Sequence, residues 1–417
     1  MEEPSRSPAN TPPQASGPTR PVLIAGGGFG GLYTALALAS QRHHPPILLV
    51  EPQQRFLFLP LLYELLSEEL RGWEVAPRYD TLLASRGVAW LQDRISRIDA
   101  SAGCVYTEQG RQLAYSRLVI ATGSRGTSYG IPGVEELAIP FRSLADVEHL
   151  QELVQHLRSH PRPLQRLALV GAGPSGVELA CKLADLLQGS TVIELIEQGT
   201  DLLPQARAFN REQARSALLR RDIRLRTHTR VLALEPGRLE LSLTAGGEGS
   251  SRETLPVYGV IWTAGVTVAP PPIEPAASLD DRGRLLCEST LELKQTPGVF
   301  AIGDVAHVAD ADGAPLAATA QVAFQQADCL AENLLRSLEG ESLQPFRWKD
   351  LGEMISLGIG EASLTGLGLT LAGPAAYRIR QLTYLSRLPG LPHQLRVAAG
   401  WLSDLGRPLN VPRCGSP

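Results

Sequence analysis

Lysine is nearly missing from this chain of 417 residues: Lys182, Lys294 and Lys349 are the only three among 39 basic side chains. Genomic base composition accounts for such a bias, and no function follows from it. Cysteine is sparse as well. The five cysteines, at 104, 181, 287, 329 and 414, form no C-x-x-C pair. That excludes a disulfide framework, a paired-cysteine zinc site and a dithiol electron acceptor, and it fits a reducing compartment. No run of about 20 apolar residues occurs, so a membrane-spanning helix is not expected. The formal charge of −4 is small for this length and gives no reason to expect a nucleic-acid partner.

The first 20 residues are rich in Pro and Ser, lack an apolar core and carry Glu2 and Glu3. Neither a secretory signal nor a transit peptide is expected there, and the composition predicts a disordered tail. The remaining length predicts two to three domains.

Two glycine-rich stretches are repeated. "PVLIAGGGFGGLYTALALA" runs an apolar strand into Gly26-x-Gly28-x-x-Gly31 and then into an Ala/Leu-rich helix. The turn must be tight, and the backbone must come close to a pyrophosphate held at the helix N-terminus. A second strand, "ILLVE", ends at Glu51, 20 residues after Gly31, where an acid binds a ribose hydroxyl. "RLALVGAGPSGVELACKLADLL" repeats the pattern with Gly171, Gly173 and Gly176, and "TVIELIE" ends at Glu197. Each copy has strand, helix and acid in register, which predicts an α/β protein holding two dinucleotides. Both acids would repel a 2′-phosphate, and no arginine follows Glu197 before Arg207. FAD or NADH is therefore favoured over NADPH, which one acid does not exclude.

Three further strands end in chemistry-bearing residues. "SRLVIATGS" opens at Thr122-Gly123, "YGVIWTAGV" at Ala264-Gly265, and "GVFAIGDVAHV" at Gly303-Asp304. Asp304 suits the ribitol hydroxyls of a flavin, or alternatively caps the next helix.

Together, the two fingerprints with "IATGS", "WTAG" and "AIGD" resemble the flavoprotein pyridine-nucleotide oxidoreductases with tandem dinucleotide-binding domains, over about residues 21–335. "FLFLPLLYELLSEEL" and "TAQVAFQQA" resemble the type II NAD(P)H:quinone dehydrogenases, the second matching their quinone-site helix. "PLLYELLSEELRGWEVAPRYDTLL" is similar to the cyanobacterial and chloroplast branch that reduces demethylphylloquinone on the route to vitamin K1. The resemblance implies an FAD domain in two parts (21–137 and 269–340), an NAD(P)H domain (138–268) and a C-terminal region (341–417). It implies a peripheral enzyme on the cytoplasmic face of a thylakoid or plasma membrane. Glu178 would reach the nicotinamide, or alternatively complement the dipole in its helix's first turn.

The flavin would carry the redox chemistry, so neither a nucleophile nor a metal is assigned. With no dithiol, a quinone remains as the expected acceptor, and the resemblance implies one of naphthoquinone type. Gln321 and Gln325, four apart on one helical face, could orient it through their amide N–H groups; Gln326 is turned away. Residues 361–377 are nearly uncharged and suit a hairpin or an interfacial segment. Beyond them, five arginines (378, 380, 387, 396 and 407) alternate with Tyr377, Tyr384 and Trp401. On a helical wheel, Leu395, Ala398, Trp401, Leu402 and Leu405 oppose Arg396, Ser403 and Asp404. This pattern predicts membrane docking, with packing on the FAD domain or a homodimer interface as the alternatives. Two other activities fit the same cofactors: a soluble reductase for ferredoxin or rubredoxin, and a slow redox-sensing protein.

Overall fold

The computed structural model describes residues 20–404 apart from 164, 245–250, 310–312 and 314. The expected tail therefore lies outside the described residues except for Arg20, as do Leu405, Arg407 and Cys414.

The first sheet is built from β1 (Val22–Ala25), β2 (Ile47–Val50), β3 (Val88–Leu91) and β4 (Arg117–Ile120), with α1 (Phe29–Ala39) after β1. A second begins with β5 (Ile139–Pro140), followed by α2 (Leu144–Ser159), β6 (Arg166–Val170), α3 (Pro174–Leu187) and β7 (Val192–Ile196). It continues with α4 (Ala208–Arg220), β8 (Arg224–Arg226) and β9 (Gly259–Trp262). The chain then returns through β10 (Val299–Ala301) to the first sheet. There the strand order is β10-β4-β1-β2-β3; in the second it is β8-β7-β6-β9-β5. All neighbours in both sheets pair parallel.

Every residue of β1 is buried, as a strand covered on both faces requires. One acid interrupts the apolar run of β7. Glu194 is buried between neighbouring strands, and Arg166 and Arg226 each reach it at 2.9 Å. The two sheets have separate apolar cores, and the segment 56–70 contributes to both: Phe56, Phe58 and Leu61 to the first, Leu62, Tyr63 and Leu66 to the second.

After β10 comes α5 (Ala320–Glu339), capped by Thr319, whose Oγ1 accepts from Val322 N–H at 3.2 Å. It ends at Gly340 in the left-handed region, φ +73°. Its buried residues recur on one face, including Val322, Ala323, Ala327 and Leu330. The C-terminal region is an antiparallel sheet of β11 (Glu353–Ser356), β12 (Ala362–Gly366) and β13 (Leu369–Gly373), then α6 (Pro374–Arg387) and α7 (Leu391–Asp404). The 361–377 stretch is thus a hairpin that passes into a helix at Pro374.

The C-terminal stripe divides differently from the helical wheel. Val397 and His393 are buried and Trp401 packs against the first core, while Leu391, Leu395 and Leu402 are 63%, 61% and 69% exposed. Trp401 therefore belongs to the inner face of α7. Tyr377 and Arg380 likewise turn inward from α6, and Arg380 is not part of a solvated basic face.

Candidate functional site

The two glycine turns have the same geometry. A Cβ on Gly31 would stand 1.8 Å from the Gly26 carbonyl oxygen, and one on Gly176 would stand 1.7 Å from that of Gly171. Gly26 and Gly171 adopt φ +100° and +103°, which only glycine reaches without strain. The middle glycines face open space: beyond the adjoining chain, no atom lies within 4 Å of a Cβ built on Gly28 or Gly173. Each turn therefore leaves a backbone-lined opening at the amino end of α1 or α3 that fits a pyrophosphate.

The acids match as well. Glu51 accepts from the N–H groups of Gly27 at 2.7 Å and Gln53 at 2.9 Å. Glu197 accepts from Ala172 at 2.8 Å and Gly199 at 2.7 Å. Each carboxylate thus braces the turn it faces. Glu197 also lines a cavity of ≈ 210 Å³ with Gly171, Gly173, Ala264 and Gly265. Arg230, which the sequence reading passed over because it lies 33 residues beyond Glu197, lines the same cavity.

Asp304 lies in a single 3₁₀ turn, Gly303–Val305, and accepts from Ser124 Oγ at 2.6 Å. It does not cap α5, a role that falls to Thr319. The bond links the end of β10 to the loop after β4 that carries Thr122 and Gly123. Gln326, 2% exposed, completes this corner by accepting from Gly303 N–H at 2.8 Å.

Gln321 and Gln325 share a face, and the backbone of 349–352 lies against it. Gln321 Nε2 donates to the Gly352 carbonyl at 3.2 Å, and Gln325 Nε2 donates to that of Lys349 at 2.9 Å. Their side-chain oxygens accept from Leu351 and Lys349 N–H groups in return. Beside them is a cavity of ≈ 370 Å³ walled by Phe29, Phe58, Pro60, Phe324, Tyr384 and Arg387, which Gln321 lines and Gln325 does not. Edge-to-face ring contacts set its walls, with Phe29–Phe58 at 5.2 Å and Phe58–Tyr384 at 5.5 Å between centroids.

Glu178 falls one turn deeper in α3 than the sequence reading placed it, since the first turn contains no acid. Its Oε1 accepts from Ser356 N–H at 2.7 Å, so a dipole-complementing surface role does not apply. It belongs to a buried charge cluster. Arg380 bonds Glu64, donates to the Pro60 carbonyl at 2.7 Å and stands 4.0 Å from Glu178. Lys182, fully buried, pairs with Glu69 and lies 3.9 Å from Glu64. Tyr377 donates to Glu69 at 2.6 Å. Burial acts to raise the Glu69 pKa, but Lys182 and its hydrogen bonds outweigh that and hold it low. At Glu178 burial prevails over Arg380, and the pKa is pushed up to about 7. Three acids meet two bases here, so one carboxyl can keep its proton at little cost.

Sequence reasoning missed Glu64, Glu69, Lys182 and Arg380. Their signal was faint: a cluster of acids within the apolar run "LLYELLSEEL" and one of only three lysines in an otherwise apolar helix. The described cysteines 181, 287 and 329 are poor thiolates. Burial pushes the Cys181 and Cys287 thiols up to about 12 and the Cys329 thiol to about 11.

Comparison with known proteins establishes the family of the chain. Residues 20–327 match the pyridine nucleotide-disulphide oxidoreductase family. The demethylphylloquinone reductase NdbB of Synechocystis is 40% identical over 396 residues, 93% of this chain and 96% of that protein. The alternative NAD(P)H-ubiquinone oxidoreductase C1 (chloroplastic/mitochondrial) of Arabidopsis thaliana is 35% identical, over 92% of this chain and 80% of that one. The structure of NDH2 from Plasmodium falciparum in complex with NADH superposes with a TM-score of 0.79 at 16% identity, covering 94% of this chain and 99% of that one. The chain belongs to the pyridine nucleotide-disulphide oxidoreductase family and, within it, to the type II NAD(P)H:quinone oxidoreductases.

Proposed function

We propose that this enzyme oxidises NADH, and NADPH less well, through FAD and reduces a membrane naphthoquinone, with demethylphylloquinone the foremost substrate. The observation that carries the acceptor is the aromatic-walled cavity of ≈ 370 Å³ beside Gln321. An uncharged planar ring suits such walls, and a protein redox partner would not enter them. The 40% identical relative is named for demethylphylloquinone reduction, which supports the choice of quinone.

The Gly26–Gly31 turn, Glu51 and the Ser124–Asp304 corner would hold FAD, and the Gly171–Gly176 turn, Glu197, Ala264 and Gly265 would hold the nicotinamide cofactor. This follows the division into 21–137 with 269–340 for FAD and 138–268 for NAD(P)H. Bound FAD would supply the two-electron chemistry. Glu197 disfavours a 2′-phosphate, whereas Arg230 in the same cavity offers it a counter-charge. Gln321 lines the quinone space, and Gln325 braces the 349–352 segment that closes it. Exposed Leu391, Leu395 and Leu402 support peripheral docking of 341–417 on a membrane, in keeping with a thylakoid or plasma-membrane location.

The test is anaerobic. The flavin of the purified enzyme is reduced with NADH, and its reoxidation by benzo- and naphthoquinones is compared with reoxidation by oxygen. A naphthoquinone is expected to react fastest, and failure of every quinone to outpace oxygen refutes the reading. Gln321→Leu should slow quinone reoxidation by about tenfold and leave reduction by NADH unchanged.

A further inference from the structure

A second cavity of ≈ 370 Å³ lies far from the glutamines in sequence, at the seam between α7 and residues 55–86. Arg55, Arg78, Arg86 and Arg396 line it, and no Asp or Glu does. Arg78 is paired with Asp80 at 2.7 Å. Among the described residues, no carboxylate lies within ion-pair distance of the other three. Among the described residues, the Arg55 guanidinium donates to the Ala76 carbonyl, at 2.9 Å. Arg86 extends over the α6–α7 turn, its guanidinium 2.6 Å from where a Cβ on Gly390 would stand. Three guanidinium groups facing one concavity without counter-charge repel one another, and an anion with several acceptor oxygens would relieve this.

What flanks the cleft narrows the anion. Arg396 follows Leu395 on α7, and Leu391, Leu395 and Leu402 are spaced at i, i+4 and i+11, on one face. That face is exposed and apolar. A basic cleft beside a ladder of exposed leucines complements a molecule with an anionic head and an apolar tail.

We propose that this cleft binds the phosphate headgroup of an anionic phospholipid, held by Arg55, Arg86 and Arg396 while the α7 leucines enter the acyl layer. The proposal rests on the peripheral docking argued above and names the lipid class that docking selects. It assigns the three arginines no part in electron transfer.

The experiment uses the full-length holoenzyme and co-sedimentation with phosphatidylcholine vesicles, with and without phosphatidylglycerol. Phosphatidylglycerol should strengthen binding by roughly tenfold. Arg86→Gln/Arg396→Gln should abolish that preference, with NADH oxidation by a soluble quinone unchanged. Arg396→Glu, at an exposed position, should do the same without disturbing the fold, and Arg396→Lys should largely preserve the preference. Equal binding to both vesicles, or a preference that survives the substitutions, overturns the headgroup site and leaves docking intact. A thermal shift with inorganic phosphate that the substitutions remove, alongside an unchanged vesicle preference, assigns the cleft to free phosphate and also overturns it. Binding to neither vesicle overturns docking and cleft together, and a stable dimer would then place the leucines against a second copy.

Discussion

At Glu178 the cost of burying a charge exceeds what Arg380 returns, and the carboxyl pKa rises from 4.5 to about 7. The folded state thus holds this proton more tightly than the unfolded chain does. Its stabilising contribution is complete below pH 4.5 and is lost as pH rises through about 7. Glu178→Gln removes the titration. Relative to the wild type, that variant should gain thermal stability between pH 4.5 and 7, by about 3 kcal/mol at the upper end. Melting curves of both proteins across this range measure the difference, and a constant offset would refute the assignment. A second residue-scale outcome concerns Arg230, which faces the same cavity as Glu197. Arg230→Gln should lower kcat/KM for NADPH by about tenfold and leave NADH nearly unaffected, as steady-state kinetics with both would show.

Helix α6 is amphipathic in an unusual sense, because its inner face carries a buried arginine as well as apolar groups. Arg380 neutralises Glu64 across a contact between elements more than 300 residues apart in sequence. Removing one partner of such a pair leaves an uncompensated charge in the interior, which costs far more than the pair itself contributes. Arg380→Leu should therefore destabilise by about 3–5 kcal/mol. Adding Glu64→Gln should recover much of the loss, and chemical denaturation of the single and double variants gives the coupling. The same face explains why the sequence grouped Arg380 with the basic residues of a membrane-docking surface. Periodicity marks Arg380 as polar but cannot reveal that Glu64 waits opposite it.

Across the whole molecule, the buried cluster joins the segment 56–70, α3 and α6, and so ties both parallel sheets to the C-terminal region. Truncation before Pro374 would expose Lys182, Glu64 and Glu69 and strip Tyr377 and Arg380 from them. A chain shortened in this way should lose cooperative folding as well as membrane affinity. Calorimetry of the shortened chain would test this, and a sharp transition close to the wild-type midpoint would show the region to be dispensable.

Much of the two-sheet frame was legible because its signals are local. Strand, glycine turn, helix and acid follow one another within about 30 residues, and the steric demand at Gly26 or Gly171 leaves little choice of side chain. The sequence by itself therefore determined the two parallel α/β units and the tight glycine turns at the amino ends of α1 and α3. The tertiary structure alone decided what long-range contacts control. It covered Gln321 and Gln325 with the backbone of 349–352, turned Gln326 to hold Gly303, and drew Arg380 and Lys182 inward. It also split the α7 stripe between the core and the surface. Each of these outcomes depends on which distant segment satisfies a polar group or removes an apolar one from water, and no periodicity within one element encodes its partner.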